Sequence, residues 1–252
     1  MTIRYVALGD SQTEGIGDGD EATGHRGWAD RFAQHLAATG EPVEYANLAV
    51  RGRLAGQVRA EQLAPALALR PTLATVVAGM NDVLRPGYDA GAVEAHLTAM
   101  FAALTAAGAE VVTLAFPDLG RIAPIAAPLR SRVADLNRRI RSAAARYGVT
   151  VVDCDRHEVA SDPRLWCADR LHANPIGHAR IAAAVAHSLG LPGSDDSWSA
   201  PLPPVVREPV WRTVGAEIRW LAEFLGPWLV RRLLGRSSGD GRSAKRPSLL
   251  PV

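Results

Sequence analysis

A serine lies directly after the first apolar run of the chain, in the segment Gly9-Asp10-Ser11. Residues 5–8 have the composition of a strand, so Ser11 stands on a tight turn that exposes its hydroxyl group. A serine hydroxyl is a weak nucleophile until a base removes its proton. The position therefore predicts a nucleophile, provided that another loop supplies the base.

That base is predicted in the segment 167–175, just before the last helix of the body. Asp169 and His172 are three residues apart there, and Pro175 begins the helix. In a loop or a single turn, this spacing lets the carboxylate bind one ring nitrogen while the other nitrogen faces the serine. We therefore predict a catalytic triad of Ser11, His172 and Asp169, with His172 as general base.

Acyl transfer also needs hydrogen-bond donors for the tetrahedral oxyanion. Two loops that follow predicted strands offer them. Gly52 can bring a bare backbone N–H close to a substrate, and the side-chain amide of Asn81 can donate. With the backbone N–H of Ser11 as third donor, the predicted oxyanion hole is Ser11, Gly52 and Asn81.

The elements that must position these residues alternate along the chain. Five short apolar runs are separated by helical stretches, which indicates a parallel sheet covered on both faces. We predict an α/β, three-layer α/β/α body over residues 1–192, whose loops after the strand ends build the site. The predicted strands are 5–8, 43–46, 73–78, 110–115 and 149–152, and the helices are 27–38, 55–69, 90–107, 128–147 and 175–189.

Beyond the body, the composition changes. We predict a linker over residues 193–208 and an amphipathic helical appendage over residues 209–235. The last segment, residues 236–252, is rich in Ser, Gly, Arg and Pro and is predicted to be a disordered tail. The helix either packs its apolar face on the body or on a second copy, or it touches a lipid surface. Packing is the favoured interpretation, because the acidic side chains of this helix argue against contact with a lipid surface.

Four segments of the chain together resemble the conserved blocks of one protein family. Gly9-Asp10-Ser11, residues 47–52, residues 79–82 and Asp169-x-x-His172 resemble, in order, the four sequence blocks of the SGNH (GDSL-type) hydrolases. The resemblance spans residues 3 to about 190. It implies a flavodoxin-like sheet of about five strands, a Ser-His-Asp triad and a Ser-Gly-Asn oxyanion hole. One departure is Gln12, where the family often has leucine.

Several other polar residues in these segments have alternative roles. Asp10 and Asn47 are predicted to hold loops, and both, together with Gln12, are candidates for substrate contact. His178 is predicted to pack inside the last helix rather than to act as a rival base. The spacing in residues 153–157 matches no standard metal site, so no metal is predicted.

Composition narrows the class of protein. Residues 205–252 hold nine basic and four acidic side chains, while the rest of the chain holds 19 basic and 22 acidic ones. A mildly acidic body argues against a nucleic-acid partner. The two cysteines suggest no metal site, no apolar run reaches 18 residues, and the amino-terminal residues run straight into a strand. We therefore expect a cytoplasmic protein without a cofactor.

Three functions agree with these residues. The first is a serine esterase that hydrolyses a carboxylic ester of a small molecule through an acyl-enzyme. The second is an acyltransferase that moves an acyl group from a thioester to a sugar or another hydroxyl acceptor with the same residues. The third is a non-catalytic module that binds an ester or assembles through residues 209–235, the segment also considered for peripheral lipid contact.

Overall fold

The structure is a computed structural model that describes residues 2–204, 219–227 and 237–252. Within these ranges, eight strands form two sheets. The strands are β1 (Ile3–Gly9), β2 (Gly19–Asp20), β3 (Gly24–His25), β4 (Val43–Asn47), β5 (Leu73–Val77), β6 (Glu110–Leu114), β7 (Thr150–Val152) and β8 (Arg246–Pro251).

Six strands build the main sheet in the order β7-β6-β5-β1-β4-β8. The first five are parallel to one another, and β8 runs antiparallel to β4. The five parallel strands have the flavodoxin-like order, as predicted. The order reverses between β1 and β5, and in such sheets the crevice outside the strand ends at this point binds ligands. Strands β2 and β3 form a separate hairpin.

Helices cover both faces of the sheet and alternate with the parallel strands. In chain order they are α1 (Ser11–Glu14), α2 (Trp28–Ala37), α3 (Ala55–Ala68), α4 (Met80–Val83), α5 (Ala90–Ala106), α6 (Leu119–Ile122), α7 (Arg130–Tyr147) and α8 (Pro175–Ser188). The described residues also form five short 3₁₀ segments, Pro124–Leu129, Cys154–Arg156, Glu158–Ser161, Pro163–Leu165 and Asp196–Ser199. No helix in the ranges that the structure describes has the length and apolar content needed to cross a membrane.

Strand β1 shows why the parallel strands read as unbroken apolar runs. Val6 and Leu8 belong to the core beneath α3, α5 and α7, whereas Tyr5 and Ala7 belong to the core beneath α2 and α8. Successive side chains of a strand point to opposite faces, and here both faces are buried. The predicted three-layer α/β/α arrangement is therefore confirmed.

The prediction of a disordered tail over 236–252 is wrong for the residues that the structure describes there. Residues 246–251 form β8, an added edge strand on β4. The Arg246 side chain donates to the Tyr45 carbonyl oxygen at 2.8 Å and lies 5.2 Å from the Tyr45 ring. Prolines suggested disorder, but an edge strand tolerates them because its outer side needs no N–H donors. The free outer edge of β4 is what orders this segment.

The predicted linker and helix have different outcomes. As far as residue 204, the segment 193–208 packs on the body, since Arg180 on α8 donates to the carbonyl oxygens of Trp198 and Ala200. Of the predicted helix 209–235, the structure describes residues 219–227, which are helical and include a π-helical turn, Leu221–Leu225. The remainder of that prediction lies outside the described residues.

Candidate active site

The turn after β1 places Ser11 at the start of helix α1. Glycine is required at position 9, because a Cβ atom there would lie 2.5 Å from Oγ1 of Thr13. The carboxylate of Asp10 caps the helix by accepting the backbone N–H of Gln12 at 3.3 Å. Ser11 is therefore the first residue of a short, capped helical turn, and it is only partly buried. Its hydroxyl can meet a ligand at the crevice.

Asp169 and His172 form a directly bonded pair on the loop before α8. Nδ1 of His172 lies 2.6 Å from Oδ2 of Asp169. The other carboxylate oxygen accepts the backbone N–H groups of Leu171 at 3.0 Å and His172 at 3.1 Å. Arg170 has a left-handed backbone (φ 57°), which folds the loop back on the carboxylate.

The ionisation of this pair favours one tautomer of the imidazole. Burial acts to raise the pKa of Asp169, but the hydrogen bond from His172, the charge of that residue and the two backbone N–H groups outweigh it, so the pKa lies below its ordinary value. An ionised carboxylate accepts hydrogen bonds, so Nδ1 of His172 carries the proton. Nε2 is then left as the acceptor nitrogen.

The side chain of Gln12 joins the Ser11 turn to the His172 loop. Its Nε2 donates to the carbonyl oxygen of Leu171 at 2.9 Å, and its Oε1 accepts the backbone N–H of Ala173 at 3.3 Å. The two bonded residues flank His172, and Gln12 directly follows Ser11. The structure thus brings together the loops that carry Ser11 and His172.

Asn81, on α4 after β5, lies beside the residue that precedes Ser11. Its Nδ2 donates to Oδ2 of Asp10 at 3.0 Å and to the carbonyl oxygen of Arg53 at 3.1 Å. Both amide hydrogens therefore have acceptors. For Asn81 to donate to an oxyanion, one of these bonds must be exchanged or shared.

The loop that carries Gly52 is bound to the same helical turn as Ser11. The carboxylate of Glu14 accepts the backbone N–H of Arg51 at 2.6 Å and its Nε at 2.9 Å. Gly52 has a left-handed backbone (φ 75°), and a Cβ there would lie 2.3 Å from Oγ of Ser237. Glycine is therefore needed at position 52, and Glu14 holds it close to α1.

The carboxyl group of Asp10 is only 4% exposed at the centre of this arrangement. Burial raises its pKa to about 7, and the nearby charge of Asp82 acts in the same direction. The hydrogen bonds from Gln12 and Asn81 and the charge of His172 act against that rise. Asp10 faces protein donors rather than the crevice, which agrees with a loop-holding residue more than with substrate contact.

Other framework residues confirm or extend this picture. Asn47 is completely buried; its Nδ2 donates to the carbonyl oxygen of Thr13 at 2.7 Å and to the Tyr45 hydroxyl at 2.8 Å, so it holds loops as predicted.

Gln62 was not singled out from the sequence. It binds both the N–H and the carbonyl oxygen of Gly9, at 2.8 and 2.9 Å, from a buried position on α3. The sequence pattern that could have identified Gln62 is a single polar residue on an otherwise apolar helix face.

The remaining sequence candidates have structural partners. His178 is completely buried: its Nδ1 accepts the backbone N–H of Trp28 at 3.1 Å, and its Nε2 donates to the carbonyl oxygen of Ile16 at 3.0 Å. Burial lowers its pKa to about 4. Asp153 and Asp155 both pair with the Arg141 guanidinium, at 2.7 and 2.5 Å. These groups serve packing and charge pairing.

An apolar cavity of about 80 Å³ lies between α8 and the carboxyl ends of the central strands. Gln12 and Ala173, the neighbours of Ser11 and His172, contribute to its wall. The cavity is thus next to the site rather than remote from it. Its apolar lining includes Val77, Leu114, Phe116, Trp166, Ile181 and Trp198.

The carboxy-terminal segments contact the site from two sides. The guanidinium of Arg170, between Asp169 and His172, lies 4.9 Å from the Trp220 ring, whose residue is only 9% exposed. Ser237 lies against Gly52 as described above. Part of the chain beyond the α/β/α body therefore packs on both loops that flank the Ser11 turn.

The chain matches the GDSL-like Lipase/Acylhydrolase family over residues 7–180. No curated protein matches it in a sequence search.

Three solved structures illustrate the shared fold. LAE5, an alpha/beta hydrolase enzyme from the metagenome of Lake Arreo, Spain, is 22% identical, covers 75% of this chain and 95% of its own, and has a TM-score of 0.64. TesA is 22% identical, covers 74% and 97%, with a TM-score of 0.63. Axe2, an acetylxylan esterase from Geobacillus stearothermophilus, is 18% identical, covers 77% and 97%, with a TM-score of 0.65.

Proposed function

Because the chain belongs to the GDSL-like Lipase/Acylhydrolase family, we propose that it is a serine esterase that hydrolyses carboxylic esters through an acyl-enzyme. Ser11 attacks the acyl carbon while Nε2 of His172 takes its proton. Asp169 keeps the proton on Nδ1 and stabilises the imidazolium that forms. His172 then protonates the leaving alkoxide, and water releases the acid in a second, similar step.

The oxyanion of each tetrahedral intermediate is bound by the backbone N–H groups of Ser11 and Gly52 and by the amide of Asn81. Loss of one such donor costs about 3 kcal/mol of transition-state stabilisation in other hydrolases. The Asn81 amide contributes once a charged oxyanion replaces the neutral Arg53 carbonyl as its acceptor, since bonds to charged acceptors are stronger.

One observation carries this proposal. The 2.6 Å bond between Asp169 and His172 lies on a loop whose backbone is bound by the side chain of Gln12, the residue next to Ser11. A surface histidine has no need of a partly buried, ionised carboxylate on Nδ1, whereas a general base does.

We further propose that the acyl group is short and lies in the apolar cavity beside Gln12 and Ala173. The cavity volume of about 80 Å³ is roughly half that of an engineered cavity that holds benzene. It therefore accepts acyl groups of roughly two to four carbons. A panel of p-nitrophenyl esters from acetate to octanoate tests this: kcat/KM should fall beyond butyrate, and a rate that rises steadily with chain length contradicts it.

The experiment for the mechanism is a comparison of two serine variants. Ser11→Ala should lose ester hydrolysis and labelling by a fluorophosphonate probe. Ser131→Ala, an exposed serine on α7, is the matched control and should keep both. Full activity of Ser11→Ala on p-nitrophenyl acetate contradicts the proposal. Lipid contact or self-association through residues 209–235 stays a prediction, which vesicle co-sedimentation and the sedimentation coefficient of the whole chain would test.

A further inference from the structure

The carboxamide of Gln12 makes an unusual two-point contact. It donates to the carbonyl oxygen of Leu171 at 2.9 Å and accepts from the backbone N–H of Ala173 at 3.3 Å. These are the main-chain groups immediately before and after His172. The side chain therefore holds the backbone of His172 on both sides, much as a neighbouring strand would.

Most of the other bonds of that loop stay within it, apart from a long contact of 3.6 Å from Sγ of Cys167 to the carbonyl oxygen of Gly17. Asp169 binds the backbone N–H groups of Leu171 and His172, and the backbone N–H of Cys167 binds the carbonyl oxygen of His172 at 2.8 Å. All of these groups lie on the same loop. They fix the imidazole relative to its own carboxylate, but not relative to the serine.

Gln12 has the complementary property because it belongs to the serine turn. Its backbone N–H is held by Asp10, one residue before Ser11, and Asp10 is in turn bound by Asn81. A displacement of the His172 loop must therefore stretch the Gln12 bonds. At this position a leucine would fill space but could neither donate to a carbonyl oxygen nor accept an N–H.

We propose that Gln12 is a positioning residue that sets the separation between the Ser11 hydroxyl and Nε2 of His172. The inference rests on the proposed esterase function and assigns Gln12 a role other than substrate contact, because its amide is bonded to the main chain. Proton transfer from serine to imidazole requires hydrogen-bond distance, and a misplacement of about 1 Å costs about 100-fold in rate.

The test uses the full chain with Gln12→Leu, Gln12→Asn and the control Gln34→Leu, an exposed glutamine on α2. Leucine removes both bonds, and asparagine keeps the amide but is one methylene too short to reach. Both Gln12 variants should lower kcat on p-nitrophenyl acetate about 10- to 100-fold, with KM changed less than about two-fold. The rate of fluorophosphonate labelling at Ser11 should fall in parallel, while Gln34→Leu leaves each quantity unchanged.

A second readout separates positioning from loss of structure. The proton between His172 and Asp169 should keep its far-downfield NMR resonance in Gln12→Leu, because that pair belongs to one loop. Loss of this resonance would mean that the loop has collapsed and would overturn the proposal. An unchanged kcat would also overturn it, and so would a raised KM at constant kcat, which would make Gln12 a substrate contact.

Failure of this inference is distinguishable from failure of the proposed function. If Ser11→Ala remains active, the esterase mechanism itself is wrong. If Ser11→Ala is inactive while Gln12→Leu is as fast as the natural chain, the mechanism stands and only the positioning role is wrong.

Discussion

The buried carboxyl of Asp10 should make the stability of this protein depend on pH in an unusual direction. An unfolded aspartate has a pKa near 3.9. In the folded protein, burial raises the pKa of Asp10 to about 7, despite the donors Gln12 and Asn81. The folded state therefore holds this proton more tightly than the unfolded state between these two values. Replacement by asparagine removes the titration while keeping the size of the side chain.

The magnitude follows from the two pKa values. Stability linked to a raised pKa is fully present below the unfolded value and is lost as the pH rises through the folded value. Each unit of pH in that interval changes the free energy of unfolding by about 1.4 kcal/mol. Between pH 5 and pH 9, only the roughly two pH units below the folded pKa contribute. Ionisation of Asp10 should therefore lower the free energy of unfolding by about 3 kcal/mol.

Urea denaturation at pH 5 and pH 9 measures this effect as a difference between two proteins. The free energy of unfolding of the natural chain, minus that of Asp10→Asn, should fall by about 3 kcal/mol between these pH values. Asp196→Asn, at an exposed aspartate, is the control and should show no such trend. A difference that stays constant, or that grows with pH, refutes the reasoning, because it would mean that Asp10 is already ionised in the folded protein at pH 5.

Three further predictions concern the site and the sheet. Asp169→Asn should lower kcat on p-nitrophenyl acetate about 10⁴-fold, because the NH₂ group of asparagine would face Nδ1 of His172 and move the ring proton to Nε2. Activity within 10% of the natural chain would count against this role of Asp169. Ala184→Leu adds bulk at a completely buried wall of the apolar cavity. It should lower kcat/KM for the butyrate ester more than for the acetate ester, and equal losses for both would place the acyl group elsewhere. Removal of residues 246–252 should lower the melting temperature and promote aggregation by exposing the edge of β4, as seen by calorimetry and light scattering; an unchanged melting temperature and scattering would show that β8 is dispensable.

The parallel part of the fold follows from local patterns. Apolar runs such as 73–78 predicted the strands, and two-sided burial explains why they do not alternate with polar residues. The site followed from one rule of topology: loops after parallel strands meet at one edge of the sheet. That rule brings Asp10 and Asn81, 71 positions apart, within 3.0 Å of each other.

The elements that the sequence did not predict depend on partners far along the chain. Strand β8 has a weak pattern of its own and is ordered by β4, including a bond from Arg246 to the carbonyl oxygen of Tyr45. The clamp of Gln62 on Gly9 needs the helix packed before it can form. The bond of Gln12 to Leu171 could not be predicted, because the orientation of its amide depends on where the Leu171 carbonyl oxygen lies. No local propensity encodes such contacts.

The two ends of the main sheet have a consequence for association. At one end, β8 presents Pro247 and Pro251, which have no N–H to offer an incoming strand. At the other end, β7 is only three residues long, which gives little backbone for a neighbour to bind. Growth of this six-stranded sheet from one molecule into the next is therefore disfavoured at both of its edges.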